Sequence, residues 1–348
     1  TLVNRLEHAP VPKLIVWDEC HHMTAGLWDA VFKHYPEAFH IGLTATPERL
    51  DGRGLSDHFD VMVDGPSTGE LIRRGYLSPF DYYAPGVPDL VGMRTVGGDY
   101  NRADTAELMG KPKVVGDVIE HYLRFAKGEQ GSVFAASREN SRNLAEAFTA
   151  EGIRAGPVAG PISVRGRQPI RAAVQGADSA NPAQVDLFGE GFDVPAMVYC
   201  GLVRPTKSLS LHLQQCGRAL RMFEGKSRAV ICDHAGNALS GLGLPDDERV
   251  WTLEGRKKRA GAKVSDDAVS IHQCTECYRV TASSVKVCPC GHVFAGAARD
   301  PEFVDGQLFK LERVDAEAEK ARLAKERKAE ERECRDYASL KALAVKRG

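Results

Sequence analysis

The chain has 348 residues, 43% of them hydrophobic and 27% charged, so it can bury sizeable cores, and its length suggests two domains with a smaller appendage. A formal net charge of -1 and a pI of about 6.8 exclude a globally basic chain, so any surface for a polyanion would have to come from local clusters of lysine and arginine. No apolar run is long enough to cross a bilayer and the N-terminus lacks a signal-peptide pattern, which predicts a cytoplasmic protein without membrane partners.

The first 81 residues alternate between short β-branched runs and stretches with helical periodicity. Strands are predicted at residues 13–19, 40–46 and 59–63, and helices at residues 26–35 and 68–75. Such alternation predicts a parallel sheet with helices on its faces. Because ligands of these sheets bind beyond the carboxyl ends of the strands, the residues that follow each strand are the first candidates for a functional site.

A stretch rich in Gly, Pro and Tyr, residues 78–100, is interpreted as a connector, and a second α/β alternation follows it. Within that alternation, residues 163–188 fit the pattern least, because Pro182 lies where a strand should form. The remaining predictions are helices at residues 114–126, 142–152 and 209–223, and strands at residues 131–137, 197–203 and 228–236.

The sequence DECH, residues 18–21, follows the first predicted strand. A carboxylate at a strand end can bind Mg²⁺ through water, and the adjacent carboxylate can orient or deprotonate a water that attacks a γ-phosphate. Asp18 and Glu19 are therefore candidate catalytic residues. Two alternatives are a solvated acidic loop and a transition-metal site using His21 and His22, although adjacent histidines rarely face one ion.

Two further motifs lie at comparable positions. Thr44 and Thr46 of the TATP sequence end the second predicted strand, although this sequence alone could be an ordinary strand-to-turn transition. QQCGRALR, residues 214–221, lies on a predicted helix, where Arg218 and Arg221 are three residues apart and share a face that could approach a phosphate. The alternative for that pair is an exposed basic helix face.

In this order and on two α/β units, DECH, TATP and QxxGRxxR resemble motifs II, III and VI of superfamily 2 helicases, whose two RecA-like domains bind ATP between them. Residues 188–195 (FGEGFDVP) resemble motif V, and residues 133–140 (VFAASREN) resemble motif IV. More narrowly, ATPERLDGRGL, GYLSPF and the RPTKSL run resemble bacterial and phage DECH-box helicases of the type that includes RadD and the translocase subunits of restriction enzymes. The resemblance spans residues 1–244.

The resemblance implies roles for the residues of the first domain. Asp18 would be the Mg²⁺ carboxylate and Glu19 the catalytic base of ATP hydrolysis. Thr44 and Thr46 would couple the state of the nucleotide to the grip on nucleic acid.

The resemblance also implies roles in the second domain. Gly191 and Asp193 would face the nucleotide, and Gln214 would sense the γ-phosphate. Arg218 and Arg221 would be arginine fingers, which act on charge that develops only in the transition state and so require the cleft between the domains to close.

One expected part of such an ATP site is missing from the sequence. A P-loop, GxxxxGK[ST], should precede DECH by roughly a hundred residues, and none occurs in the chain. Residues 224–227 (EGKS) lead from a predicted helix into a strand and have Leu220 where the motif needs glycine, so they are interpreted as a surface turn. The sequence therefore predicts that this chain alone is inactive, either as a piece of a larger helicase or as a natural protein that has lost catalysis.

Four of the nine cysteines form two close pairs, whereas the other five are scattered as in a protein with reduced thiols. Four thiolates at this spacing match the tetrahedral coordination of Zn²⁺ and predict a structural site that resembles a zinc ribbon, with four unrelated cysteines as the alternative. Because the second pair is CxC, His292 could replace the last cysteine, or His272 could contribute. The predicted ligands are Cys274, Cys277, Cys288 and Cys290.

The segment GRKKRAGAK, residues 255–263, could follow the phosphates of a nucleic acid, and a solvated basic linker is the equal alternative. From about residue 311 the tail interleaves both charge signs among Ala and Leu, which favours a solvated or partner-binding helix. The candidate nucleic-acid-binding residues are Arg256, Lys257, Lys258 and Arg259.

These patterns and the resemblance predict an α/β protein with tandem RecA-like parallel-sheet domains, the first of them truncated, a small C-terminal zinc ribbon and a charged helical tail. The predicted divisions are the first domain (1–81), a connector (82–109), the second domain (110–246), a basic linker with the ribbon (247–300) and the tail (301–348).

The predicted activity is that of an ATP-dependent helicase or translocase with ATP, Mg²⁺ and structural Zn²⁺ as cofactors. The predicted partners are nucleic acid, with DNA favoured by the resemblance, and repair, replication or restriction proteins. One rival interpretation is a nucleic-acid-binding or assembly module that keeps the helicase fold without hydrolysis. The other is the motor subunit of a restriction complex.

Overall fold

The computed structural model describes residues 6, 8–23, 26–47, 54–86, 88–158, 184–188, 197–254 and 270–294, with the backbone alone described at 157–158 and 184–188. The predicted basic segment at 255–263 and the predicted helical tail lie outside these residues. Among the described helices, none combines the length and the apolar character that a membrane crossing requires.

The first lobe, defined as the described part of residues 6–66, is built on two parallel strands. Strand β1 (Leu14–Asp18) pairs with β2 (Phe39–Leu43), and helix α1 (Gly26–His34) covers one face of the pair. Trp17 alternates onto that face and packs against Trp28 and Phe32 of α1, with ring centroids 5.7 and 6.2 Å away. The buried core of this lobe consists of Leu6, Trp17, Cys20, Met23, Val31, Tyr35 and Leu55.

The opposite face of the two strands is exposed. Leu14, Val16 and Ile41 are about half exposed, and Phe39 is 77% exposed. The strand predicted at residues 59–63 does not form. These residues have no regular secondary structure and no sheet partner among the described residues, and Val63 is 88% exposed. A strand needs a hydrogen-bonded neighbour, which the apolar pattern of a segment does not supply by itself.

Helix α2 (Thr68–Arg73) leads from the first lobe to the second lobe, defined as the described part of residues 77–250. In chain order, the strands of the second lobe are β3 (Phe80–Tyr83), β4 (Thr95–Val96), β5 (Asp99–Tyr100), β6 (Gly131–Ala135), β7 (Arg154–Val158), β8 (Gln184–Phe188), β9 (Tyr199–Val203) and β10 (Ala229–Asp233). Six of them form one parallel sheet in the order β3-β10-β9-β6-β8-β7.

Helices cover both faces of this sheet. They are α3 (Arg102–Met109), α4 (Pro112–Phe125), α5 (Arg138–Ala150) and α6 (Leu209–Ala219). Tyr122 of α4 and Phe148 of α5 belong to one core cluster, whereas Cys216 of α6 belongs to the cluster on the other face. Because both faces are covered, β6, β9 and β10 are buried at every position, which explains their continuous apolar runs.

The stretch interpreted as a connector contains regular structure. Strand β3 is an edge strand of the six-stranded sheet, and β4 and β5 form a hairpin whose Gly97 and Gly98 have φ values of 61° and 91°, as a type I′ turn requires. Asp99 of this hairpin accepts hydrogen bonds from Thr206 Oγ1 at 2.9 Å and from the Lys207 amide at 2.7 Å. The stretch is thus packed against the loop that precedes α6.

The chain returns to the first lobe after the second sheet is complete. Leu253 packs against the first lobe's core, and its carbonyl accepts hydrogen bonds from the amides of Leu55 and Ser56 at 2.6 and 3.0 Å. The described chain therefore crosses between the lobes twice, once through α2 and once before Leu253.

The cysteine module, residues 270–294, follows. Its strands β11 (Ile271–Gln273) and β12 (Val280–Ala282) pair in antiparallel fashion. The predicted α/β class with parallel sheets is confirmed for both lobes, and the cysteine module adds a small antiparallel sheet.

Candidate nucleotide cleft and metal centre

The DECH residues form a sharp turn at the carboxyl end of β1. Glu19 has φ 53° and ψ 47°, a left-handed conformation that is costly for a residue other than glycine, and a 3-10 turn at Cys20–His22 follows it. The Glu19 amide donates to Asp18 Oδ1 at 3.1 Å. Both carboxylates therefore lie where ligands of parallel sheets bind.

The TATP residues at the end of the adjacent strand contact this turn directly. His21 Nδ1 lies 3.0 Å from Thr44 Oγ1, which also accepts from the Thr46 amide and donates to the Thr46 carbonyl, both at 3.1 Å. His21 Nδ1 is also 3.4 Å from Glu19 Oε2, and the histidine thus links the two sequences.

Helix α6 carries part of the third motif. Its N-cap Ser208 accepts from the Leu211 amide, and Gln214 and Arg218, four residues apart, lie on one side of the helix. The helix ends at Ala219, and Arg221 lies beyond it in an isolated antiparallel bridge with Leu77. The expectation that Arg218 and Arg221 share a helix face is therefore wrong, because the helix is shorter than its apolar pattern suggests.

Arg218 and Glu19 interact electrostatically across the two lobes. Burial lowers the pKa of the Arg218 guanidinium, and the negative charge of Glu19 opposes that lowering. The Glu19 carboxylate of the first motif thus acts electrostatically on the Arg218 guanidinium of the third.

A direct hydrogen bond also joins the lobes at this point. Thr46 Oγ1 lies 2.6 Å from Ser210 Oγ, in the first turn of α6, and Thr46 is almost completely buried. Sequence reasoning missed Ser210, since a serine near a helix start is usually explained by capping, and here Ser208 is the cap.

The EGKS sequence is not a simple surface turn. Gly225 is exposed with φ 84°, but Lys226 is only 8% exposed, and its ammonium donates to the carbonyls of Met197, Ala219 and Arg221. Burial lowers the pKa of Lys226 to about 8. Lys226 therefore caps the end of α6 and ties it to the segment before β9.

Several predicted site residues lie outside the described part of the chain. They are the motif V residues Gly191 and Asp193 and the basic residues Arg256, Lys257, Lys258 and Arg259. The proposed pairing of His21 with His22 around a metal finds no support, since the potential metal-binding group found among the described residues consists of cysteines alone.

The four clustered cysteines come together in space. The Sγ atoms of Cys274, Cys277, Cys288 and Cys290 all lie within 4.8 Å of one another, with 3.7 Å between Cys274 and Cys290 and 3.5 Å between Cys277 and Cys288. A tetrahedral zinc site with Zn–S bonds of about 2.3 Å requires similar separations, on the order of 3.8 Å. The donor set therefore fits Zn²⁺.

The fourth position of this group is Cys290. The His292 amide hydrogen-bonds to the Cys290 sulfur and lowers the pKa of that thiol to about 7. His272 instead stacks on Phe294, with ring centroids 3.6 Å apart, and neither His272 nor His292 belongs to the potential metal-binding group.

The chain is similar in sequence to several known proteins. Residues 4–49 match the family described as "Type III restriction enzyme, res subunit". The chain is 34% identical over 295 residues to a 51.5 kDa protein of Lactococcus phage (isolate 7-9), which covers 84% of this chain and 64% of the phage protein. It is 27% identical over 256 residues to the putative ATP-dependent helicase IRC3 of Saccharomyces cerevisiae, covering 70% of this chain and 37% of IRC3.

A solved structure has a similar fold. The fragment of a putative HsdR subunit of a type I restriction enzyme from Vibrio vulnificus YJ016 superposes with a TM-score of 0.55 at 19% identity, covering 73% of this chain and 49% of that fragment. The two lobes thus define an α/β protein with parallel sheets, whose fold is similar to that of the HsdR fragment. Together with the sequence matches, this fold supports a superfamily 2 helicase-like protein that is similar to restriction-enzyme subunits. The chain spans less than two thirds of the length of the phage and yeast relatives.

Proposed function

We propose that this chain is part of an ATP-dependent translocase or helicase that acts on nucleic acid, with DNA as the substrate. The observation that carries the proposal is the continuous set of contacts from His21 through Thr44 and Thr46 to Ser210, which connects the ends of β1 and β2 to the arginine-bearing helix of the other lobe. Cleft closure can drive movement along a strand only if such contacts link the two lobes.

In this proposal, the residues of the first lobe act on the phosphates. Asp18 would hold the Mg²⁺ of the nucleotide, and that ion would neutralise charge at the phosphates. Glu19 orients and deprotonates the attacking water. His21 holds Thr44 against this turn. A shift of the turn would therefore move Thr46, and the hydrogen bond between Thr46 and Ser210 would transmit that movement to the second lobe.

The second lobe supplies the groups that complete the site. Gln214 contacts the γ-phosphate, and Arg218 and Arg221 stabilise the charge that develops on it in the transition state. Gly191 and Asp193, which lie outside the described residues, would contact the nucleotide, as their resemblance to motif V implies. The interaction between Arg218 and Glu19 supports this arrangement, because it brings opposite sides of the proposed site together.

We further propose that the phosphate-binding loop is supplied by polypeptide outside these 348 residues. Parallel sheets are normally covered on both faces, yet the outer face of β1 and β2 exposes Val16, Phe39 and Ile41. An open cavity of about 700 Å³ is lined by residues of β2, by Val61 and Val63 and, from the other lobe, by Leu213 of α6. A further strand and helix would bury these apolar side chains.

The cysteine module completes the proposal as a structural zinc ribbon held by Cys274, Cys277, Cys288 and Cys290, and the basic residues 256–259 contact nucleic-acid phosphates. A second candidate function is that of the motor subunit of a restriction complex. The family match over residues 4–49 and the fold of the HsdR fragment favour it.

DNA-stimulated ATP hydrolysis tests the proposal. The 348-residue chain and the product of the whole reading frame that encodes it are assayed side by side, each with a Glu19→Gln variant. We expect turnover only in a product that contains a P-loop, and a fall in kcat of at least about a hundredfold in its Glu19→Gln variant with ATP binding retained. Hydrolysis by the 348-residue chain would refute the need for an external loop. DNA binding without hydrolysis by every product would favour a non-hydrolysing module.

A further inference from the structure

The cysteine module lies against the outer edge of the second sheet. Strand β3 is the last strand on that side, and one of its edges is paired with β10. On the free edge, Tyr83 and Arg279 form an antiparallel bridge, and the Ala84 amide donates to the Tyr278 carbonyl at 2.9 Å. Gln273 also donates from its side chain to the Ala84 carbonyl. An unpaired strand edge can pair with strands of other chains. The contacts with the cysteine module cover the free edge of β3 and so protect the second lobe from such pairing.

Charged groups strengthen the contact. Asp81 of β3 is only 5% exposed, and its carboxylate accepts hydrogen bonds from both Arg279 and Arg228. Arg279 also donates to the Tyr83 hydroxyl at 3.0 Å, and its guanidinium lies 5.2 Å from the centre of the Tyr83 ring. A buried carboxylate that lost one of two such partners would be poorly compensated, so Arg279 is more than a surface ion pair.

Apolar side chains make the contact continuous with the core. Val280 is buried in the same cluster as Tyr82 and Ala84, and Ile271 packs against that cluster. On the other side of β3, the Tyr278 ring meets His121 of α4 edge-on, with centroids 5.9 Å apart. The module is therefore built into the second lobe.

The residues that make these contacts belong to the turn that presents the metal-binding thiols. Cys277, Tyr278 and Arg279 are consecutive, and Tyr278 has φ 64°, a left-handed conformation that is unfavourable for a tyrosine. The turn is closed by hydrogen bonds from the Tyr278 amide to the Cys274 carbonyl and from the Cys274 amide to the Arg279 carbonyl. Anything that fixes Cys274 and Cys277 fixes Tyr278 and Arg279 as well.

We propose that the cysteine module is an edge cap of the second lobe, in which a metal ion held by the four thiolates locks the turn at residues 274–279 onto strand β3. Small metal sites fold with their ion, so occupancy of the site and order of the strand edge are coupled. The edge cap rests on the zinc site of the proposed function and is independent of the proposed ATP hydrolysis. An edge cap is fixed to strand β3, whereas an ordinary zinc finger would move freely on its linker.

Hydrogen exchange of the full 348-residue chain, followed by mass spectrometry, tests the coupling. In the zinc-loaded protein, we expect the peptide that contains Ala84 to exchange slowly. Removing zinc with a chelator should raise its exchange rate by at least about tenfold, whereas peptides of β6 and β9 in the sheet centre should change much less. Equal protection of the Ala84 peptide with and without zinc would overturn the proposal.

An arginine variant separates the cap from the metal site itself. Arg279→Met keeps all four thiolates, so it should retain zinc and yet raise exchange at the Ala84 peptide. The matched control is Lys286→Met, an exposed lysine of the same module, for which zinc content and exchange should equal those of the unmodified protein. If Arg279→Met retained both zinc and full protection of β3, the proposed coupling would be wrong. Because this variant leaves the ligands intact, the test holds even if cysteine variants fail to fold.

Discussion

The hydroxyls of Thr46 and Ser210, 164 positions apart in the chain, lie 2.6 Å from each other and form a direct hydrogen bond between the two lobes. Thr46 follows the end of β2, and Ser210 lies in the first turn of α6. This bond places the TATP sequence in physical contact with the helix that carries Gln214 and Arg218.

Replacing Ser210 with Ala should weaken the association of the lobes. The substitution leaves the Thr46 hydroxyl buried without its partner, so we expect the free energy of unfolding to fall by about 1 kcal/mol. Urea denaturation followed by tryptophan fluorescence measures the change. Ser227→Ala, at an exposed position, is the control and should leave the midpoint in place. Identical midpoints for the two variants would show that the bond contributes nothing.

His21→Ala should uncouple the DECH turn from Thr44. The lost hydrogen bond is worth roughly 1 kcal/mol, so DNA-stimulated ATP hydrolysis by the whole reading-frame product should fall by about five- to tenfold. The neighbouring His22 is exposed, and His22→Ala is the matched control. The proposed role of His21 would fail if both variants kept the same stimulated rate.

Lys226→Met should destabilise the second lobe. The substitution leaves the carbonyls of Met197, Ala219 and Arg221 without their shared donor, which should cost about 2–3 kcal/mol in the free energy of unfolding. Lys33→Met, which removes an exposed pair with Asp29 on α1, should cost less than about 0.5 kcal/mol. Chemical denaturation of both variants at pH 7 provides the comparison.

The same lysine predicts a pH dependence. Its pKa is about 8 in the folded protein and is 10.5 in its ordinary state, so between these values the unfolded chain binds more protons than the folded chain. The contribution of Lys226 to the free energy of unfolding should therefore rise as the pH increases from about 8 to about 10.5. Denaturation midpoints measured across this window should increase for the unmodified protein relative to Lys226→Met. A constant difference between the midpoints of the two proteins across this window would contradict the lowered pKa of the Lys226 amine.

Zinc content should distinguish Cys290 from His292 as the fourth ligand. The purified chain should hold one zinc ion, and Cys290→Ser should lose it to a competing chelator far more readily than the unmodified protein. His292→Ala and His272→Ala should retain it, since neither imidazole belongs to the sulfur group. Retention by Cys290→Ser together with loss by His292→Ala would reverse the assignment.

The parts of the fold that the sequence predicts well are those set by local patterns. The run at residues 14–18 is apolar and β-branched, and the spacing of Trp28 and Phe32 places both on one face of a helix, so β1 and α1 follow directly. The paired spacing of the cysteines likewise anticipates that their sulfurs meet. In each case the information lies within a few residues of the feature.

Features that depend on distant partners could not be predicted in the same way. Residues 59–63 have the pattern of a strand but no paired neighbour among the described residues, whereas Phe80–Tyr83, in a stretch rich in Pro and Tyr, joins the sheet because β10 and Arg279 lie beside it. In the sequence, Lys226 resembles an exposed basic residue. In the structure, its ammonium donates hydrogen bonds to three carbonyls. The role of Ser210 becomes evident only in the folded chain, where the Thr46 hydroxyl lies opposite it.

The return of Leu253 to the first lobe restricts how the lobes can move. Since the chain joins them through α2 and again before Leu253, a change in the angle between them has to bend both connections at once. Two separate connections favour rotation of the lobes about the line that joins the two connections. They oppose rotation of the lobes about other axes. The space between the lobes would then open in one preferred direction, and closure would return Arg218 to within the electrostatic reach of Glu19.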